Sequence, residues 1–144
     1  MANWILSAFA DEYSSNLADQ IKALQDLEIG HIELRFLNGK NVADLTANEA
    51  AEVKKQLDAG GIRVSAVGSP LGKINLGDPF SVHLEKARRV FESANLFGTA
   101  YVRMFSFYLH PNKSRGDCRS EVIDKVGALL DLADRFGLKL CHEN

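Results

Sequence analysis

Six side chains could do chemistry: Glu143, His142, Glu33, Arg103, Lys73 and His110. Glu143 stands at the carboxyl end of the short run Leu138-Lys139-Leu140-Cys141-His142. A carboxylate there can bind a hard divalent ion and act beside an acid or base, and it can equally be a solvated acid at a frayed end. Glu33 and Arg103 carry charge on otherwise apolar runs, so they are read as an ion pair in a wall, a pair facing a ligand, or both. Lys73 follows Gly68-Ser69-Pro70-Leu71-Gly72, which fits neither a Walker A loop nor a dinucleotide glycine loop; its charge alone could draw a phosphate or polarise an oxygen. His142 has the opposite strand parity to Glu143 and reads as a satisfied or packed histidine on the helix-facing side. His110, before Pro111, reaches either a ligand or solvent, whereas His31 and His83 read as structural or exposed.

The elements that must carry these residues alternate regularly. Short apolar runs at Trp4 to Ala10, His31 to Phe36, Ile62 to Val67, Tyr101 to Phe105 and Leu138 to Glu143 read as strands. Between them lie stretches of helical period: Leu17 to Ile29 before Gly30; a segment opened by Thr46 with Glu49 three residues on and closed by Gly60-Gly61; Val82 to Leu96 before Gly98; and Val122 to Phe136 before Gly137. Gly68 to Gly72 is expected to be a turn or loop. Four βα units and a fifth strand result, with crossovers that suit parallel pairing.

Two parallel architectures can hold such units, an open doubly wound sheet and an eight-stranded barrel. Five strands would complete a small open-sheet binding protein at this length. The strand faces argue otherwise. Alternation places His31, Glu33 and Arg35 on one face of the second strand, Arg103 and Phe105 on one face of the fourth, and Lys139, Cys141 and Glu143 on one face of the fifth. A sheet buried on both sides cannot hold so much charge, whereas the C-terminal mouth of a barrel can. The expected fold class is therefore α/β, a partial (β/α)8 TIM barrel of about four and a half βα units with parallel strands, residues 1–144 forming the N-terminal part of one domain.

Composition narrows the setting. With 144 residues, 46% hydrophobic and 25% charged, the chain has the make-up of a soluble globular protein. Nothing from Met1 onward reads as a secretory signal and no run approaches membrane-spanning length, so the expectation is a cytoplasmic protein with no membrane partner. Cys118 and Cys141 lie too far apart for a redox or zinc pair and are expected to be free thiols. A net charge of -2 disfavours a nucleic-acid partner.

Phe9-Ala10-Asp11-Glu12, Ile32-Glu33-Leu34-Arg35, Gly68-Ser69-Pro70-Leu71-Gly72-Lys73, Val102-Arg103-Met104-Phe105-Ser106 and His142-Glu143-Asn144, in that order at successive strand ends, together resemble the sugar phosphate isomerase/epimerase family, the xylose-isomerase-like barrels. The resemblance spans the chain and implies the N-terminal half of a barrel that binds a divalent metal ion (Mn, Mg, Co or Zn) and a sugar or sugar-phosphate substrate. It implies that Glu143 is both a metal ligand and a catalytic carboxylate, the first of a four-ligand set whose aspartate, histidine and second glutamate come from later strands. Glu33, Lys73 and Arg103 are implied only as substrate-side or structural supports. The AP endonuclease branch of the same superfamily is a poorer match, because the histidines it brings from its middle strands are replaced here by Gly68-Ser69-Pro70 and Phe105-Ser106-Phe107. The expected activity is isomerase/epimerase for a complete barrel and none for the isolated half. The competing accounts are a non-catalytic half-barrel that forms a homodimer through open sheet edges, and the small open-sheet binding protein.

Overall fold

The computed structural model describes residues 4–144. Residues 1–3, on which the reading of a start without a secretory signal partly rests, lie outside the described residues. The elements in chain order are β1 (Ser7–Ala8), α1 (Leu17–Asp26), β2 (His31–Leu34), β3 (Phe36–Leu37), β4 (Lys40–Asn41), α2 (Ala47–Ala59), β5 (Arg63–Leu71), α3 (Phe80–Phe97), β6 (Tyr101–Met104), α4 (Arg115–Arg135) and β7 (Lys139–His142), with single 3-10 turns at Ala10–Glu12 and Val42–Asp44. Five strands form one sheet in the order β1-β2-β5-β6-β7, every neighbouring pair parallel; β3 and β4 make a separate antiparallel hairpin. Each strand of the large sheet pairs with the next one in the chain that belongs to it, and each crossover contains a helix. That is the winding of a (β/α)8 barrel, here partial, with about four and a half βα units.

The core lies between the sheet and its helices. Ile32 and Leu34 of β2, Val64 and Val67 of β5, and Val102 and Met104 of β6 share one apolar cluster with Leu17, Ile21 and Leu24 of α1, Val53 and Leu57 of α2, Ala87, Val90, Phe91 and Ala94 of α3, and Leu129 and Ala133 of α4. The alternate residues Glu33 and Arg103 are left on the opposite face, half-buried. Strand parity has therefore sorted apolar from charged side chains as the alternation predicts.

The helix boundaries follow local chemistry. Thr46 and Glu49 form a reciprocal capping box at the start of α2, and Ser114 with Asp117 does the same for α4. Asn16 caps α1, accepting from the backbone N–H groups of Ala18 and Asp19. Gly98 ends α3 in the left-handed region at φ 75°.

Three expectations need correction. The first strand is only Ser7–Ala8, with Trp4, Ile5 and Leu6 exposed before it. Helix α1 stops at Asp26, with Glu28 rather than Gly30 taking the left-handed turn at φ 56°. Gly68 to Leu71, expected in a loop, continue β5. Val67 faces Val102 and Leu71 faces Met104, so four steps of β5 span two steps of β6 and the excess is taken up in a bulge. Pro70 falls inside this irregular stretch, where a strand tolerates a missing N–H.

Candidate active site

The polar side chains gather at the carboxyl ends of β1, β2, β5, β6 and β7. After β1 the 3-10 turn presents Asp11 and Glu12, and Arg35, just past β2, donates from Nε to Asp11 Oδ2 at 2.8 Å and from Nη2 to Glu12 Oε1 at 3.1 Å. The Asp11 side chain is 9% exposed, and its second oxygen is buried without a protein partner. A buried carboxylate needs this guanidinium beside it.

Arg103 forms the second centre. Its Nη1 donates to Glu143 Oε2 at 3.2 Å, its Nη2 to the Gly68 carbonyl at 3.1 Å and its Nε to the Ser69 carbonyl at 3.4 Å. Ser69, fully buried, completes the brace by donating its hydroxyl to the Arg103 carbonyl at 2.5 Å. Every nitrogen of the guanidinium is thus tied to β5 or to Glu143 just past β7, and only 11% of the side chain is exposed. The anticipated ion pair of Arg103 with Glu33 is not made; Arg103 pairs with Glu143. Glu33 has no salt bridge or side-chain hydrogen bond among the described residues. Burial raises its pKa above that of an ordinary glutamate, Arg103 and Arg35 pull it back down, and the charge of Glu143 pushes it up.

Aromatic rings fill the spaces between the cations. Arg35 lies 4.5 Å and Arg103 5.6 Å from the centre of the Phe9 ring, while Arg103 lies 4.9 Å and Lys73 4.0 Å from the centre of Phe105. The result is the row Arg35, Phe9, Arg103, Phe105, Lys73 across the strand ends, in which each ring offers its negative face to cations. Lys73 is set by Gly72, whose φ of 88° and contact with the backbone of Phe105 leave no room for a side chain. The Gly72 N–H donates to Nε2 of buried His83 at 3.0 Å, and burial lowers the pKa of that imidazole, consistent with its acceptor role.

The remaining histidines sort differently. His142 Nε2 lies 2.7 Å from the Ser106 hydroxyl at the rim, exposed rather than packed. His110 pairs with Glu121 at 3.0 Å, and Glu121 also accepts from Lys125 at 2.9 Å; these bonds, Lys125 first, hold the Glu121 carboxyl at about 2. This network ties the segment after β6 to α4. Cys118 is a buried free thiol and Cys141 an exposed one.

Among the described residues no three His, Cys, Asp or Glu side chains converge to hold a metal ion. Glu143 is 49% exposed and offers one oxygen not engaged by Arg103, too few donors for a hard divalent ion that takes six or more oxygens. By themselves these residues do not fit a metal site. Phe9, Phe105 and Ser69 lay within the strand-end motifs, and Phe105 on the inward face, but sequence reasoning assigned none of them a role in the site. Their signal was present in the alternation of β6 and in the place of Phe9 at the end of β1, but an aromatic at a strand end reads first as core.

Fold and mouth together define an incomplete (β/α)8 barrel whose inner, C-terminal face is lined with alternating charge and aromatic rings. The chain belongs to the family of xylose isomerase-like TIM barrels, whose model matches residues 21–144. Similar solved structures include the IOLI protein with a bound zinc atom (TM-score 0.71, 14% identity, 95% of this chain and 49% of that one). A xylose isomerase-like TIM barrel protein from Mycobacterium smegmatis in complex with magnesium gives 0.66 at 20% identity, covering 94% and 47%. A D-tagatose 3-epimerase-like protein gives 0.70 at 15% identity, covering 96% and 51%. The chain thus spans about half the length of these structures, and at such identities the likeness concerns the fold. No curated protein matches the chain. No helix among the described residues is long and apolar enough to cross a membrane.

Proposed function

We propose that this chain forms the substrate-facing N-terminal part of a divalent-metal-dependent sugar or sugar-phosphate isomerase/epimerase, and that in isolation it is inactive. The observation that carries the reading is the Arg103–Glu143 pair at the carboxyl ends of β6 and β7, in a barrel of this family. Arg103, locked by two carbonyls of β5, is a positioning residue that keeps Glu143 aimed. Glu143 is the catalytic carboxylate: it takes a proton from a substrate carbon as the C–H electron pair passes to the adjacent carbonyl oxygen, and the group that returns the proton would come from the remainder of the barrel. With a metal bound, Glu143 would serve as one ligand among others supplied from there. Glu33, half-buried on the same inward face, and Lys73 lie beside the substrate.

The zinc and magnesium in the similar structures support a metal requirement, and the D-tagatose 3-epimerase-like protein supports a sugar substrate. The test is ketose epimerisation with added Mn, Mg, Co or Zn, run on this chain and on any longer reading frame that contains it. Metal-dependent turnover only in the longer protein, abolished by Glu143→Gln, is expected; a fully active isolated chain removes the claim of incompleteness.

A second reading, a non-catalytic half-barrel that dimerises through its sheet edges, is favoured by the apolar side chains beside β1: Trp4, Ile5, Leu6 and Leu27 are all exposed.

A further inference from the structure

The inward cations are not equivalent. Arg35 is neutralised by Asp11 and Glu12, and Arg103 by Glu143. Lys73 forms no salt bridge among the described residues and rests on the face of Phe105. The nearest acid along its own loop, Asp78, is turned to Asn75, accepting from its backbone N–H at 2.9 Å and from its side-chain amide at 3.3 Å.

The seat under Lys73 is built rather than incidental. Gly72 is pressed against the Phe105 backbone, His83 holds the Gly72 N–H from below, and Phe105 is itself buried with Arg103 on its ring. An aromatic face steadies an ammonium group but satisfies none of its three donors. Those donors remain exposed at the strand-end mouth, on the same ring as Arg103.

We propose that Lys73 is an anion subsite and that the substrate is an anionic sugar, its phosphate or carboxylate group accepting hydrogen bonds from the Lys73 ammonium while the sugar carbons extend toward Glu143. This rests on the isomerase/epimerase reading for the rest of the substrate, but the anion subsite itself needs no turnover. A neutral ketose would leave the ammonium without a counter-charge; an anionic sugar supplies one and gains a charge-assisted bond.

Calorimetric titration of the 144-residue chain with D-fructose 6-phosphate, D-gluconate and D-fructose at low salt tests the subsite. At least one anionic sugar is expected to bind roughly tenfold more tightly than D-fructose, with affinity falling as salt is added. Binding of the phosphate ester alone identifies phosphate as the group, of gluconate alone carboxylate, and each outcome supports the subsite. Lys73→Met should remove the advantage and Lys73→Arg should keep most of it, with circular dichroism confirming that both variants fold. Equal affinity for D-fructose, no binding of either anion, or an undiminished advantage in Lys73→Met overturns the proposal. In a longer, active protein, ketose turnover indifferent to Lys73→Met removes the subsite while sparing the enzymatic reading. Anion binding in an inactive longer protein does the reverse.

Discussion

Arg103 shows how far a residue's role depends on what consumes its donors. Three of the five N–H donors of its guanidinium go to Gly68, Ser69 and Glu143, so under the proposed function it serves chiefly to orient that carboxylate. Glu33 is the contrasting case, a carboxyl left over when the cations around it have been paired. Its pKa is raised in the folded chain, chiefly by burial. Relative to an uncharged side chain, its stability contribution is therefore fully present below the unfolded glutamate value and is lost as pH rises through the folded one. Glu33→Gln is expected to leave stability unchanged in acid below pH 4.5 and to raise it at neutral pH by less than about 1 kcal/mol once solvent screening is allowed for, read from urea midpoints at the two pH values. A loss of stability at neutral pH would show that the charged form is the favoured one.

Two elements make their own predictions. The capping box of α2 joins Thr46 and Glu49, and the Glu49 carboxyl is lowered to about 2 by Lys40 first and then by Thr46. Thr46→Ala removes the side-chain acceptor for the Glu49 N–H and should cost about 1 kcal/mol in chemical denaturation. At the end of β5, Gly72→Ala would put a methyl group 1.9 Å from the Phe105 carbonyl oxygen on a backbone at φ 88°. A loss of about 3 kcal/mol or more is expected in the same assay, since both strain and overlap oppose the change. A stable, native-like Gly72→Ala chain would show that this turn yields easily.

These elements also show what the sequence could tell. The capping box and the glycine stop of α3 are local, set by side chains within a few residues, and were legible. The extension of β5 through Pro70 was not, because it depends on Arg103 and Met104 some thirty residues away, which supply the ladder and the hydroxyl acceptor that keep the strand going. Glu143 and Arg103 were legible as inward residues from parity. Their pairing was not, since Glu33 and Glu143 lie on opposite sides of Arg103 in sheet order and only three-dimensional reach decides between them.

For the whole molecule, the decisive property is that the large sheet has two edges, β1 and β7. The single tryptophan stands beside the first, 87% exposed. If a second copy covers that edge, light scattering should show twice the monomer mass, and Trp4 emission should move to shorter wavelength as concentration rises; a monomer with unchanged emission counts against the dimer. Family membership and the five-strand order agree on a barrel wall, and the mouth residues lie where parallel α/β folds collect function.

The buried Ser69 reaches beyond the site. Because it bonds β5 to β6 through its hydroxyl while its carbonyl receives Arg103, these two staves lock their register without help from any other strand. A protein engineer could therefore graft a different closing half onto this wall, or recombine it with a distant cousin's, and still find the middle of the old mouth assembled.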